Sequence, residues 1–132
     1  TDLSGGGDSV QSNDGACPMF VRQNIADFAA VYLQGTKPYD PRPSPAFADL
    51  SALPPTLVQV GADELLLDDA RRVHERMLDA GSPSRLEIFD GVFHGWQVLT
   101  GFLPEADAAL AQAAAFIAAT RDDRARPVAV LQ

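Results

Sequence analysis

Leu57-Val58-Gln59-Val60-Gly61-Ala62-Asp63-Glu64 and Phe89-Asp90-Gly91-Val92-Phe93-His94-Gly95-Trp96 are the two runs that decide the fold of this chain. The first is an apolar run ending in a glycine and two acids; the second ends in a histidine set among glycines. Thr56 to Val60 is short and almost wholly apolar with β-branched residues, the pattern of a strand buried on both faces of a parallel sheet. Arg85 to Phe89, with Leu86, Ile88 and Phe89, reads as a second strand. Between them, Leu65 to Ala80 sets Leu66, Leu67, Ala70, Val73, Met77 and Leu78 on one helical stripe, and Gly81 follows where a left-handed C′ residue belongs. A strand, a helix and a strand of these lengths make a right-handed crossover with parallel strands. Open sheets of this kind place their sites at the carboxyl ends of the strands, where Asp63, Glu64 and His94 all stand.

Working outward, Pro104 to Thr120 is an Ala-rich helix with Ala108, Leu110, Ala114, Phe116 and Ile117 available for burial. It completes a βαβα region over residues 46–121, followed by a frayed, charged tail at 122–132. On the other side, Pro18 to Leu33 carries Phe20, Val21, Ile25, Phe28, Ala29, Tyr32 and Leu33 near a 3.6-residue period. That predicts a helix with Pro18 in its first turn and Gly35 at its end. Pro38, Pro41, Pro43 and Pro45 make the next stretch an extended crossover poor in hydrogen bonds, and Ser4 to Gly15 reads as an exposed loop. Residues 1–45 are thus a loop, a helix and a Pro-rich crossover, a candidate cap or pocket wall.

The 132 residues are enough for one domain at most, and 46% hydrophobic content argues for a globular fold. A formal charge of −8 disfavours nucleic acid and anionic membrane surfaces as partners. The single cysteine, Cys17, forms no internal disulfide, and no apolar run reaches the length of a membrane span. A soluble, cytoplasmic protein is the expectation. The opening Thr1-Asp2-Leu3, with neither an initiator Met nor a preceding element, looks wrong for a complete domain.

A neutral imidazole on a glycine-flanked loop can take a proton from a nucleophile and return it to a leaving group. It needs a carboxylate on its other ring nitrogen to fix the tautomer, and Asp63 or Glu64 is placed for that. Zinc is disfavoured because no HxxxH or Cys–His spacing occurs, so no metal and no cofactor is expected. His74, among Arg71, Arg72, Glu75 and Arg76, reads as a solvated helix-face residue. Gly7-Asp8-Ser9 is similar to the start of a nucleophile elbow, but Gln11 stands where its second glycine belongs, and no apolar strand precedes Ser9. Ser9 therefore reads as an ordinary loop serine.

From Thr1 to about Thr120 the chain resembles the C-terminal part of an α/β-hydrolase of the hormone-sensitive-lipase-like esterase family. The matching pieces are Thr1-Asp2-Leu3, Tyr32-Leu33, Asp40-Pro41, Ser44-Pro45, Asp49-Leu50-Ser51-Ala52-Leu53-Pro54-Pro55, Gly61 to Asp69, Ala80-Gly81, Gly91 to Trp96 and Leu103-Pro104-Glu105-Ala106. The resemblance implies serine ester hydrolysis of a small ester substrate, with His94 as the catalytic base. The motif Glu64-Leu65-Leu66-Leu67-Asp68-Asp69 favours Glu64 as the triad acid, with Asp63 as the alternative. Asp68 and Asp69 match an acidic pair that suits the start of a helix. Phe93, Trp96, Val98 and Leu99, with Phe20, Phe28 and Tyr32 of the upstream helix, are candidates to line the acyl pocket.

Two of the family's motifs are missing. The His-Gly-Gly oxyanion motif and the Gly-Asp-Ser-Ala-Gly elbow belong upstream of Thr1, so no nucleophile is expected in this chain. Cys17-Pro18-Met19 stands where relatives often carry Asp-Pro-Leu, and Cys17 reads as a substituted loop residue. The implied partner is the N-terminal half of the hydrolase, on the same or a second polypeptide, and a homo-oligomer stays open. Two rival readings are a non-catalytic α/β interaction module and a hydrolase using Thr1 as an N-terminal nucleophile.

Overall fold

The strand β1 (Thr56–Gly61) and the strand β2 (Ser84–Phe89) lie parallel, in register from Thr56 opposite Ser84 to Gly61 opposite Phe89. They belong to a computed structural model that describes residues 2–125. The chain forms two units, Thr1–Trp96 and Gln97–Gln132.

In the first unit the helix α3 (Leu67–Asp79) joins the two strands and packs on both. Its C-terminus closes as the sequence requires. Gly81 takes φ +77°, its N–H donates to the Leu78 carbonyl, and Ser82 N–H donates to the Met77 carbonyl at 2.8 Å. This paired closure is a Schellman motif, and the positive φ is why a glycine stands there. Val60, Leu65, Met77, Val92 and Trp96 are buried in this unit. Each such large side chain contributes roughly 1.5–3 kcal/mol relative to exposure.

Both strands are only half-buried for most of their length, contrary to the expectation of burial on both faces. The alternation explains this. Gln59, Arg85 and Glu87 share one face, where Gln59 donates to Glu87 at 3.0 Å and Arg85 pairs with Glu87 at 2.6 Å. Arg85 on this face stays solvated, while Gln59 and Glu87 are half-buried and bonded to each other.

The N-terminal segment is not the exposed loop that its composition predicts. Gly7, Ser9 and Val10 are buried, and the short helix α1 (Ser9–Ser12) follows Asp8. Asp2 N–H donates to Asp69 Oδ2 at 2.8 Å, the Asp2 carboxylate pairs with Arg72, and Leu3 N–H donates to the buried Ser44 hydroxyl at 3.0 Å. The first two bonds fasten the segment to α3, and the third ties it to Ser44.

The helix α2 (Arg22–Leu33) starts later than predicted, because Val21 is extended and serves as its N-cap. Asn24 Oδ1 accepts Val21 N–H at 3.1 Å and Asp14 Oδ1 accepts Arg22 N–H at 3.0 Å, so those two amides at the helix start find side-chain acceptors. Pro18 therefore lies ahead of the helix. The Pro-rich stretch folds into turns, with Ser44 N–H donating to the Asp40 carbonyl and a 3₁₀ turn at Pro45–Phe47, instead of running extended.

In the second unit the helix α4 (Pro104–Ala125) begins with proline at its first position. Asp107 Oδ1 accepts from Thr100 Oγ1 at 2.6 Å and from Gly101 N–H at 2.8 Å. These two bonds hold the Asp107 carboxyl below the usual carboxylate range. The helix runs past the predicted end at Thr120, so the tail expected at 122–132 begins as helix, and residues 126–132 lie outside the described ones. Among the described residues no helix is long and apolar enough to cross a membrane.

Candidate active site

His94 and Glu64 meet. His94 Nδ1 lies 2.6 Å from Glu64 Oε2, the Glu64 side chain is 5% exposed, and the imidazole is 43% exposed. The other carboxylate oxygen, Oε1, accepts Gly61 N–H at 2.8 Å. One acid thus spans the end of β1 and the loop after β2. Asp63 sits on the preceding turn with its side chain in solvent. The turn Ala62-Asp63 reverses the chain, turning one of the two neighbouring acids inward and the other outward.

Gly61 is what lets the two loops approach. A Cβ at this position would lie 2.4 Å from the Val92 carbonyl oxygen, 3.1 Å from its carbon and 3.2 Å from Glu64 Cγ. The backbone leading into His94 therefore passes directly over Gly61. After His94, Gly95 adopts φ +75°, a left-handed conformation that glycine enters without strain.

The Phe20 ring packs beside the imidazole, with centroids 5.3 Å apart and planes at 61°. Phe28 meets Phe20 edge-on at 6.0 Å. Phe28 and Tyr32 are themselves 58% and 69% exposed, so of the predicted aromatic wall it is Phe20 that reaches the histidine. Trp96 is 1% exposed and packs against Phe89 with ring centroids 5.1 Å apart and planes tilted at 47°, a packing position inside the unit. Phe93 is half-buried, and its carbonyl accepts Trp96 N–H at 3.2 Å. Val98 and Leu99 belong to the second unit and are 81% and 37% exposed.

A groove of about 210 Å³ runs along β1 and the start of α3, with Glu64 and His94 among its lining residues and Val58, Val60, Leu66 and Val73 as its apolar part. A larger cleft of about 550 Å³ is lined by Gly5, Gly6, Gly7, Arg22 and their neighbours, and holds neither member of the pair.

Ser9 is remote from nucleophile chemistry for a reason the sequence did not reveal. Its hydroxyl donates to the Leu65 carbonyl at 2.7 Å and accepts Asp68 N–H at 3.0 Å, while its own N–H donates to Asp68 Oδ2 at 2.8 Å. The residue is 3% exposed, a buried strut and not a plain loop serine. His74 is half-buried, its Nδ1 2.9 Å from Ser84 Oγ at the start of β2, where a solvated position is expected from the sequence. Cys17 is buried, and Thr1 lies outside the described residues. Among the described residues no group of three metal-ligating side chains occurs.

Asp68 and Asp69 occupy the first turn of α3, where the helix dipole favours negative charge. The Ser9 amide, helped by Arg71, holds the Asp68 carboxyl below its ordinary range. Burial pushes Asp69 up, opposed by the hydrogen bond from the Asp2 amide.

A family model described as alpha/beta hydrolase fold matches residues 3–98. The chain belongs to that family. An acetyl-hydrolase of Streptomyces hygroscopicus is 45% identical over 94 residues, covering 71% of this hydrolase-fold chain and 31% of the relative. An esterase of Acinetobacter venetianus is 45% identical over 80 residues, covering 61% of the chain and 26% of the relative. The crystal structure of EstE5 soaked with p-nitrophenyl butyrate is 36% identical with a TM-score of 0.85, covering 90% of the chain and 40% of that structure. A crystal structure of an esterase from the bacterial hormone-sensitive lipase family is 41% identical with a TM-score of 0.81, covering 84% and 37%. The likeness to bacterial hormone-sensitive-lipase-type esterases, carried in the sequence by scattered motifs, thus extends to the fold. This hydrolase-fold chain spans less than a third of the length of those two curated relatives.

Proposed function

We propose that this chain contributes the acid and the base of a serine ester hydrolase, with Glu64 as the acid and His94 as the base. The observation that carries the reading is the contact of 2.6 Å between a buried carboxylate and a half-exposed imidazole at neighbouring strand ends. A carboxylate on Nδ1 holds the proton there and leaves the lone pair on Nε2. As a serine oxygen attacks the ester carbonyl, Nε2 takes the serine proton and Glu64 stabilises the imidazolium. The alkoxide leaving group then receives that proton from Nε2. A water repeats the sequence on the acyl-enzyme and releases the carboxylic acid. Phe20, in contact with the imidazole, supplies an apolar wall beside the reacting carbonyl.

Ser9 is committed to Leu65 and Asp68. The nucleophile and the oxyanion donors therefore come from polypeptide beyond this stretch, in keeping with relatives about three times as long as the matched region. The substrate class is a small carboxylic ester.

The test is a fluorophosphonate probe applied to the complete enzyme, together with turnover of p-nitrophenyl butyrate. We expect a labelled serine, and a His94→Ala variant with kcat lowered by roughly 10³ or more. His74→Ala should retain near wild-type kcat. Equal losses at both histidines, or no labelled serine, would overturn the assignment.

A further inference from the structure

We propose that Asn13 is a positioning residue for the Glu64–His94 pair, and that the segment from Asn13 to Phe20 acts as a clip across both members; this rests on the hydrolase reading above. A primary amide has two N–H groups on one nitrogen. Asn13 directs its Nδ2 at two carbonyls of the acid turn, Ala62 and Glu64, each at 2.9 Å. One of these is the backbone carbonyl of the acid itself. Ser9 Oγ donates to the next carbonyl along, that of Leu65, at 2.7 Å. The N-terminal segment therefore holds the turn at Ala62, Glu64 and Leu65. Further along the same segment the Phe20 ring packs against His94 at 5.3 Å. The clip thus touches the acid by its backbone and the base by its ring.

The residue type fits the task. A hydroxyl offers one proton, and an aspartate would face two carbonyl oxygens with lone pairs only. The Glu64 side chain is already anchored within β1, through Gly61 N–H at 2.8 Å. Its backbone is fixed from outside by Asn13. Both ends of the side chain are then determined, and the carboxylate is delivered to Nδ1 without a search. Removing the amide frees the Glu64 end, so the effect reaches His94 first and the global fold second.

The test is nuclear magnetic resonance on the complete enzyme, which needs no turnover. In Asn13→Ala, the low-field Nδ1 proton of His94 should broaden or be lost, because the Glu64 carboxylate is no longer held against it. Gln11→Ala, an exposed neighbour, should leave that proton unchanged. In the complete enzyme, Asn13→Ala should lower kcat for p-nitrophenyl butyrate by about tenfold or more with KM nearly constant. An unmoved Nδ1 proton in Asn13→Ala, even with a lowered Tm, would overturn the proposal by reducing Asn13 to a structural role. Should that variant not fold, Asn13→Ser takes its place, and an unmoved Nδ1 proton there overturns it equally. Absence of turnover in the wild-type enzyme would defeat the hydrolase reading while leaving the resonance result to decide the clip.

Discussion

At Gly61 two requirements meet in one residue. Its N–H holds Glu64, and its missing side chain admits the Val92 carbonyl. In Gly61→Ala the new methyl would collide with backbone at 2.4 Å, and backbone cannot yield as a flexible side chain can. We expect a stability loss of about 1–3 kcal/mol, read from the urea midpoint, and a lower kcat as the loop carrying His94 shifts. An Ala variant with unchanged midpoint and kcat would show that the approach is looser than described. The neighbouring acids make a second comparison. Glu64→Gln should lower kcat by roughly 10⁴, as loss of a tautomer-fixing carboxylate does, and Asp63→Asn should leave it near wild type. The reverse ranking would restore Asp63 as the acid. Adjacent acids are indistinguishable by spacing, and the difference between them arises only when the turn at Ala62-Asp63 sends one side chain inward. Gly61 was visible in the sequence as the end of an apolar run. Its close approach to Val92 was not, because the partner lies on another loop.

The elements β1, α3 and β2 were legible because each signal is local: an apolar run, a stripe of period 3.6 and a glycine at C′. The N-terminal segment departs from its loop-like composition for the opposite reason. Its Gly, Ser and Asn residues have loop composition, yet Ser9, Asn13 and Asp2 are held by partners far along the chain. Composition reports what a segment can do alone, and these bonds exist only after α3 has formed. The start of α3 gives a prediction with two signs. Asp68 is depressed, mainly by the Ser9 amide, so its contribution is present above the ordinary aspartate range near pH 4 and is lost as pH falls through the folded value. Asp69 is raised, mainly by burial, so the folded state takes up its proton first on acidification and its ionised form weakens the fold near neutrality. Asp68→Asn should therefore lower stability at pH 7 and flatten the decline below about pH 4. Asp69→Asn, which keeps an oxygen for Asp2 N–H, should match or exceed wild type at pH 7 and lose that advantage on acidification. Urea midpoints across pH decide this, and two variants displaced in the same direction at neutrality would contradict it.

Taken as a whole, this chain leaves large apolar side chains in solvent. Phe28, Val31 and Tyr32 are 58%, 73% and 69% exposed, at i, i+3 and i+4 on α2, and Ile88 of β2 is 41% exposed. Residues at that spacing form one row on a helix, and rows of large apolar groups are uncommon on stable monomers. Among the described residues the sheet has two strands, which is at the lower limit of what stands alone without helical support. α3 provides that support for the first unit, but it does not cover α2's row. We therefore expect the 132-residue chain, expressed alone, to bind a hydrophobic dye such as anilinonaphthalene sulfonate and to self-associate in sedimentation velocity. Val31→Glu with Tyr32→Glu should reduce both signals with little change in Tm, because neither side chain belongs to the buried set. The complete enzyme should bind far less dye than the isolated chain at equal molarity. A wild-type chain that is monodisperse and dye-free would show that this row is tolerated as ordinary surface, and a double variant that unfolds would show that it contributes to packing despite its exposure.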